Sequence, residues 1–274
     1  MSADEYHADP VPGGSLSSSG ARKLLPPNCP ALFHHERQHG RPPKRELDLG
    51  HAAHKLVLGV GPDLVVVDAS DWRTKAAQDK RDEARATGAV PLLRAEWEQL
   101  KAMAEALRAH PVASALFAPG RGKPEQALIW QDGPTGVWRR ALLDWLPAQV
   151  AGWRLIVPDY KTTRDADPES IARAVHTYGY HQQAAWYLDG VKALGLHGQE
   201  PAFVFVFQEK TAPYLVTVVE LDALALRIGA ARNRRALETY ARCTAEDRWP
   251  GYSDAVESIC LPAWAEKSDS EEYL

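Results

Sequence analysis

Apolar positions along the chain follow two rhythms. From Leu47 the intervals are four, three and four, through His51, His54 and Leu58, which places these side chains on one face of a helix. Leu93, Trp97, Leu100, Ala104 and Leu107 recur at three and four, so an amphipathic helix is expected from Pro91 to His110-Pro111. Ser17, Ser18 and Ser19 offer N-cap hydroxyls to a short helix ending before Pro26-Pro27, and a second short helix is expected over Pro30 to Gln38. Residues 169–195 and Asp222 to Cys243 read as two long helices. The second rhythm is that of strands: Leu64 to Asp68, Gln126 to Trp130, Val137 to Trp145, Trp153 to Tyr160, Phe203 to Gln208 and Tyr214 to Glu220. Turn residues at Asp132-Gly133, Pro147-Ala148 and Thr211-Ala-Pro213 predict antiparallel hairpins between neighbours. Asp71 to Gly88 is charged and weakly patterned, and Gln38 to Arg45 is rich enough in Pro and charge to predict a connection. Trp97 by its spacing and Trp153 by its place beside a strand are expected in the core. The order implies an α/β fold, a mixed central sheet flanked by helices.

A chain of 274 residues is long enough for one sizeable core. Residues 1–14, with Pro10, Pro12, Gly13 and Gly14, are expected as a flexible leader, 15–265 as a single domain and 266–274 as an acidic tail that frays. No apolar run approaches the roughly 18 residues of a spanning helix, and the N-terminus lacks the apolar stretch of a secretory signal. Cys29, Cys243 and Cys260 lie far apart, which argues against a disulfide framework or a cysteine-held metal and for a reducing, cytoplasmic compartment. With 32 Lys and Arg against 36 Asp and Glu the formal charge is -4, so a nucleic acid could be held only by a focused basic patch.

The chemistry concentrates between Glu125 and Lys161. Asp144 lies near the end of one predicted strand and Asp159 near the end of the next, so a hairpin would bring two carboxylates to one sheet edge, the hard oxygen site that Mg²⁺ prefers. Lys161 follows Asp159 by two residues and shares its strand face, where an ammonium can orient water and stabilise charge on a phosphate. Tyr160 between them faces the other way and leaves its backbone carbonyl as a further ligand. Glu125 is either a plain strand-start charge or a member of the site. On the helix at 169–195, Gln183 and Tyr187 stand four residues apart and project from one face, either as packing residues or toward the site.

Asp144 followed by Val-Pro-Asp159-Tyr160-Lys161 resembles the motif of the PD-(D/E)XK nucleases. Gln183-Ala-Ala-Trp-Tyr187 is similar to the Q-x-x-x-Y element of the RecB-like group, and Gly50-His-Ala-Ala-His54 to its G-x-x-x-H helix. With further matches at Leu16-Ser-Ser-Ser-Gly20, Lys161-Thr-Thr163 and Pro201-Ala-Phe-Val-Phe205, the chain from 16 to 267 resembles the RecE-type (exonuclease eight) exodeoxyribonucleases of phages and prophages. The resemblance implies a PD-(D/E)XK fold and a Mg²⁺-dependent enzyme, Mn²⁺ being a substitute, that degrades duplex DNA from 5′ ends and leaves 3′ single strands for recombination. It implies metal ligation by His54, Asp144, Asp159 and Tyr160, catalysis by Lys161, and support from Gln183, Tyr187 and Glu125, with His51 in the core or behind the ligands. It implies, too, a ring-shaped homo-oligomer, a single-strand annealing recombinase as partner and the bacterial host cytosol as location. Where such nucleases read R-P-D, this chain has Leu142-Leu143-Asp144, and Arg140, on the same strand face, is placed to substitute. A DNA-binding module without turnover, and an endonuclease or single-strand nuclease on the same fold, are the alternatives.

Overall fold

The computed structural model describes residue 1, residues 3–40 and residues 45–274, so residues 41–44 of the connection expected at Gln38 to Arg45 lie outside the described residues. Helix α1 (Ala3–His7) and the two-residue strand β1 (Leu16–Ser17) precede α2 (Ser18–Lys23), α3 (Pro30–His39) and α4 (Arg45–Leu58). Strand β2 (Leu64–Val67), helix α5 (Lys75–Ala86), strand β3 (Val90–Leu93), and helices α6 (Arg94–Ala109) and α7 (Pro111–Leu116) follow. Three longer strands come next: β4 (Gly122–Gln131), β5 (Trp138–Pro147) and β6 (Ile156–Thr163). Helices α8 (Pro168–Tyr178) and α9 (Tyr180–Ala193), strands β7 (Ala202–Glu209) and β8 (Val216–Glu220), and helices α10 (Ala223–Glu246) and α11 (Ala263–Tyr273) complete the chain.

The architecture is the expected mixed α/β, but its ladders are divided. One runs β1-β5-β4, another β2-β3 and a third β6-β7-β8. β5 is antiparallel to β4, as expected, while β6 pairs in parallel with β7 and not as a hairpin with β5. The reason lies in β7, where Ala202 to Gln208 is buried without interruption, as suits a central strand covered on both faces. It takes β6 on one side and β8 on the other, and leaves β6 as a ladder edge, where Pro158 is tolerated.

Two apolar clusters flank β6. Val157 belongs to the larger, with Leu16, Phe33, Trp130, Trp186, Phe203 and Phe205. Tyr160 points into the smaller, with Leu92, Leu100, Met103, Leu107, Trp145 and Val206. Its hydroxyl donates to Gln208 Oε1 at 2.6 Å, and Gln208 Nε2 donates to the Met103 carbonyl at 2.7 Å.

Several expectations are corrected. The helix expected at 169–195 is two, because Gly179 adopts the left-handed conformation (φ 67°) that ends α8 and redirects the chain into α9. The amphipathic helix begins at Arg94, since Pro91 is taken by the parallel pairing of β3 with β2. Asp71 to Gly88 contains α5, whose buried residues are the small Ala77 and Ala84. Within the expected leader, Tyr6 is buried and Asp9 accepts from Ser15, while residues 5, 7, 8, 10, 12 and 13 are exposed. Residues 266–272 lie within α11, which has no buried residue. Trp153 is exposed, and so is His51, because α4 turns Ala52 and Ala53 inward instead. Among the described residues no helix is long and apolar enough to cross a membrane.

Candidate active site

As β6 has a ladder partner only on the β7 side, the backbone groups pointing the other way need partners from elsewhere. At Tyr160 side chains supply both. The Tyr160 amide donates to Asp144 Oδ2 at 2.7 Å, and its carbonyl accepts from His54 Nε2 at 3.0 Å. With its proton on Nε2, a neutral His54 carries its lone pair on Nδ1, which lies 3.8 Å from Asp144 Oδ2. The open edge of one strand thus draws together residues from α4, β5 and β6.

Asp159 and Lys161 project from the other face of β6. Asp159 is 1% exposed; its Oδ1 accepts from Gln183 Nε2 at 2.7 Å, and its Oδ2 meets the Lys161 ammonium as an ion pair, though no donor makes an aligned hydrogen bond to that oxygen. Burial, and after it the charge of Asp144, push the Asp159 carboxyl up to about 6, against the pull of Lys161 and His54. Burial opposes the Lys161 ammonium too, but Asp159 and Asp144 outweigh it and hold that group above its ordinary range. The Lys161 ammonium also lies 5.4 Å from the centre of the Tyr180 ring.

Of the residues singled out in the sequence, His54, Asp144, Asp159, Tyr160, Lys161 and Gln183 are brought together. Tyr187 stands one turn beyond Gln183, where burial raises its phenol well above the ordinary value and a hydrogen bond with Gln183 acts in the opposite sense. Glu125 falls opposite Asp144 in the β4–β5 register, between the pairs Pro124–Trp145 and Gln126–Leu143, with its backbone in the left-handed region (φ 46°) and no hydrogen bond to the cluster. The Tyr160 carbonyl, expected as a metal ligand, spends one lone pair on His54. Arg140, expected to replace the missing arginine, is engaged by Asp9 at 2.7 Å. The 3–14 arm, expected as a leader, carried no site signal in the sequence; its Tyr6 closes, with Ser17, Ser19, Gln183 and Tyr187, a cavity of about 160 Å³.

Residues 17–262 match the model of a PDDEXK-like domain of unknown function, DUF3799. The chain belongs to this family. The assignment fixes the PDDEXK-like class without singling out the RecE type. A solved structure of a candidate exonuclease from Eubacterium rectale resembles this PDDEXK-like chain with a TM-score of 0.63 at 11% identity over 98% of both chains, which establishes the shared fold. Another solved structure, of SSO0001, reaches a TM-score of 0.30 at 13% identity over 76% of this chain and 88% of its own. No curated protein matches.

PD-(D/E)XK proteins bind divalent metals, and the residues gathered at Tyr160 can be tested against that need. As placed, no three His, Cys, Asp or Glu side chains among the described residues form a metal-holding group, and Lys161 lies against Asp159. The donor set nonetheless fits a hard divalent cation: two carboxylates, an imidazole with a free lone pair, and a carbonyl with one lone pair to spare. The buried Asp159 Oδ2, lacking an aligned donor, is the atom such an ion would satisfy.

Proposed function

We propose that this PDDEXK-like chain is a Mg²⁺-dependent exodeoxyribonuclease that acts on duplex DNA ends in the 5′-to-3′ direction and leaves 3′ single strands for recombination. The observation that carries the reading is the capture of the Tyr160 amide and carbonyl by Asp144 and His54, beside the Asp159–Lys161 pair. Asp144, Asp159, His54 and the Tyr160 carbonyl would hold the ion. Bound there, Mg²⁺ or Mn²⁺ supplies Lewis-acid polarisation of the scissile phosphate and a more acidic water.

The chain's own groups do the rest. Lys161, a half-buried ammonium that its neighbours keep charged, orients the attacking water and stabilises charge growing on the phosphate. Gln183 fixes the Asp159 carboxylate through Oδ1, and Tyr187 braces Gln183. Polarity and end-dependence are supported by the RecE-type resemblance, as are the ring-shaped homo-oligomer and the annealing recombinase partner. The net charge of -4 adds a reason for several subunits to pool basic surface around one duplex.

The test is a cleavage assay with Mg²⁺ on 5′-labelled linear duplex beside closed circular DNA. Early release of the label from linear DNA, with the circle intact, is expected. Cutting of the circle would replace the exonuclease by an endonuclease, and binding without turnover would leave a DNA-binding module.

A further inference from the structure

Beside this site lies a second polar constellation that the proposed chemistry does not use. The Asp9 carboxylate is held by four donors: the Ser15 amide at 2.9 Å, the Ser15 hydroxyl at 2.7 Å, Arg140 at 2.7 Å and Arg37 at 3.1 Å. Against burial, the Ser15 and Arg140 contacts keep that carboxyl below the usual range, so the cradle selects an anion. Arg140 also donates to the Ser15 carbonyl at 3.1 Å, its Nε is buried without a partner, and the Tyr6 ring lies 5.4 Å from its guanidinium. Arg37 is steadied from behind by the Tyr240 hydroxyl at 2.8 Å. The cradle opens into a cavity of about 860 Å³, bordered by Ser17, Ser19 and Lys23 as well as the two arginines.

Two guanidiniums, a hydroxyl and a backbone amide around one carboxylate make a site for any tetrahedral or planar oxyanion. Arg140 and Asp144 lie on the same face of β5, four residues apart, about 13 Å at strand spacing, a distance a strand of a few nucleotides spans. The chain as a whole is acidic, so an arginine pair close to the carboxylates is the kind of focused positive surface that a nucleic acid requires.

We propose that the Arg140–Arg37–Ser15 cradle is a backbone-phosphate subsite for the DNA strand, and that Asp9 occupies it as a phosphate mimic, so the N-terminal arm must withdraw before the strand can bind. This rests on the nuclease reading above and adds to it a phosphate contact and a built-in competitor. Asp9 adopts a left-handed backbone (φ 57°), and Gly13 and Gly14, also at positive φ, separate the arm from β1, so release requires no unfolding of the sheet.

The test uses the 274-residue chain as wild type, Asp9→Asn, Arg140→Gln and the double variant, titrated without metal against a labelled 20-base-pair duplex over a range of salt. Asp9→Asn keeps the shape of the side chain and is expected to bind about tenfold tighter, with a salt slope steeper by about 0.9 for each phosphate newly contacted. Arg140→Gln is expected to erase that gain in the double variant, because the guanidinium that would receive the phosphate is gone. Asp9→Asn binding no tighter than wild type, with an unchanged circular dichroism spectrum, would overturn the proposal. Should Asp9→Asn fail to fold, Asp9→Gly, which removes the carboxylate at a left-handed backbone position and leaves Ser15, Arg37 and Arg140 in place, decides in the same way. Absence of duplex binding by every variant at low salt would overturn the nuclease reading instead, and the cradle is then judged by whether inorganic phosphate raises the melting temperature of Asp9→Asn more than that of wild type.

Discussion

Two of the charge clusters in this molecule are built on opposite terms. In the first, Arg139 is 4% exposed between two indoles, 4.0 Å from the Trp186 ring and 4.7 Å from the Trp130 ring. Its guanidinium reaches Asp189 at 3.1 Å and Asp132 at 3.7 Å, and Asp132 also takes Arg234 through both oxygens at 2.8 and 2.9 Å. Two arginines face two carboxylates, and burial notwithstanding, Arg234 and Thr135 hold Asp132 below the usual carboxylate range. In the second, Asp144 and Asp159 share Lys161, and Asp159 is driven up to about 6. The balanced cluster is architecture. The unbalanced one stores a demand for positive charge, which is the electrostatic mark of a site that waits for a ligand.

That contrast can be broken by exchanging roles. Asp159→Ala is expected to reduce metal-dependent cleavage of linear duplex to background while the circular dichroism spectrum is retained, because a metal-binding carboxylate is lost from a site that architecture does not need; cleavage at the wild-type rate would refute the assignment. Arg139→Met should do the reverse. Removing one partner from a buried ion network costs about 3 kcal/mol, and a drop of roughly 6–12 °C in melting temperature should appear by calorimetry, with metal affinity unchanged.

Smaller effects sharpen the boundary of the second cluster. His54→Ala should weaken Mn²⁺ binding about 10- to 100-fold by calorimetric titration, the range seen when a group supporting a metal site is lost, and exposed His51→Ala should match wild type. The reverse ranking would refute the choice of His54. The smallest effect is one of pH. Asp159 must be ionised to hold a metal, and its carboxyl lies at about 6 rather than in the usual range, so Mn²⁺ affinity should be flat above pH 7 and fall by up to about tenfold per unit below 6. By the same shift, the metal-free protein loses the stabilising contribution of protonated Asp159 as pH rises through about 6, so added metal should raise the melting temperature more at pH 7.5 than at pH 5.

What was legible in the sequence was whatever a single element encodes. The alternation Asp159-Tyr160-Lys161 assigns faces within one strand, Gln183 and Tyr187 share a helical face, and His54 follows Gly50 within one helix; each needs only local geometry. The α/β class followed from the order of such elements. What stayed hidden depends on partners distant in the chain. Nothing in Val137 to Tyr160 says that β6 prefers the buried β7 to its sequence neighbour β5, and that choice exposes the Tyr160 edge to Asp144 and His54. Helix α5 buries only alanines, which leave a faint amphipathic trace. The arm at 3–14 is polar and Pro- and Gly-rich, and its placement depends on Arg140, Arg37 and Ser15, none of which a local pattern could associate with Asp9.

Strand β6 is buried on both faces, one side chain set reaching each apolar cluster, and this makes the protein intolerant of changes in length at one place in particular. Adding or deleting a single residue within 156–159 would rotate all that follows by half a pleat, sending the lysine and the aspartate toward Met103 and Leu100 and the tyrosine toward Gln183. The connection at 148–154, exposed at Val150 and Trp153, would absorb the same change by bending. Insertions and deletions along this stretch should therefore divide sharply into harmless and fatal within a few residues, a boundary that no scale of amino-acid similarity would foresee.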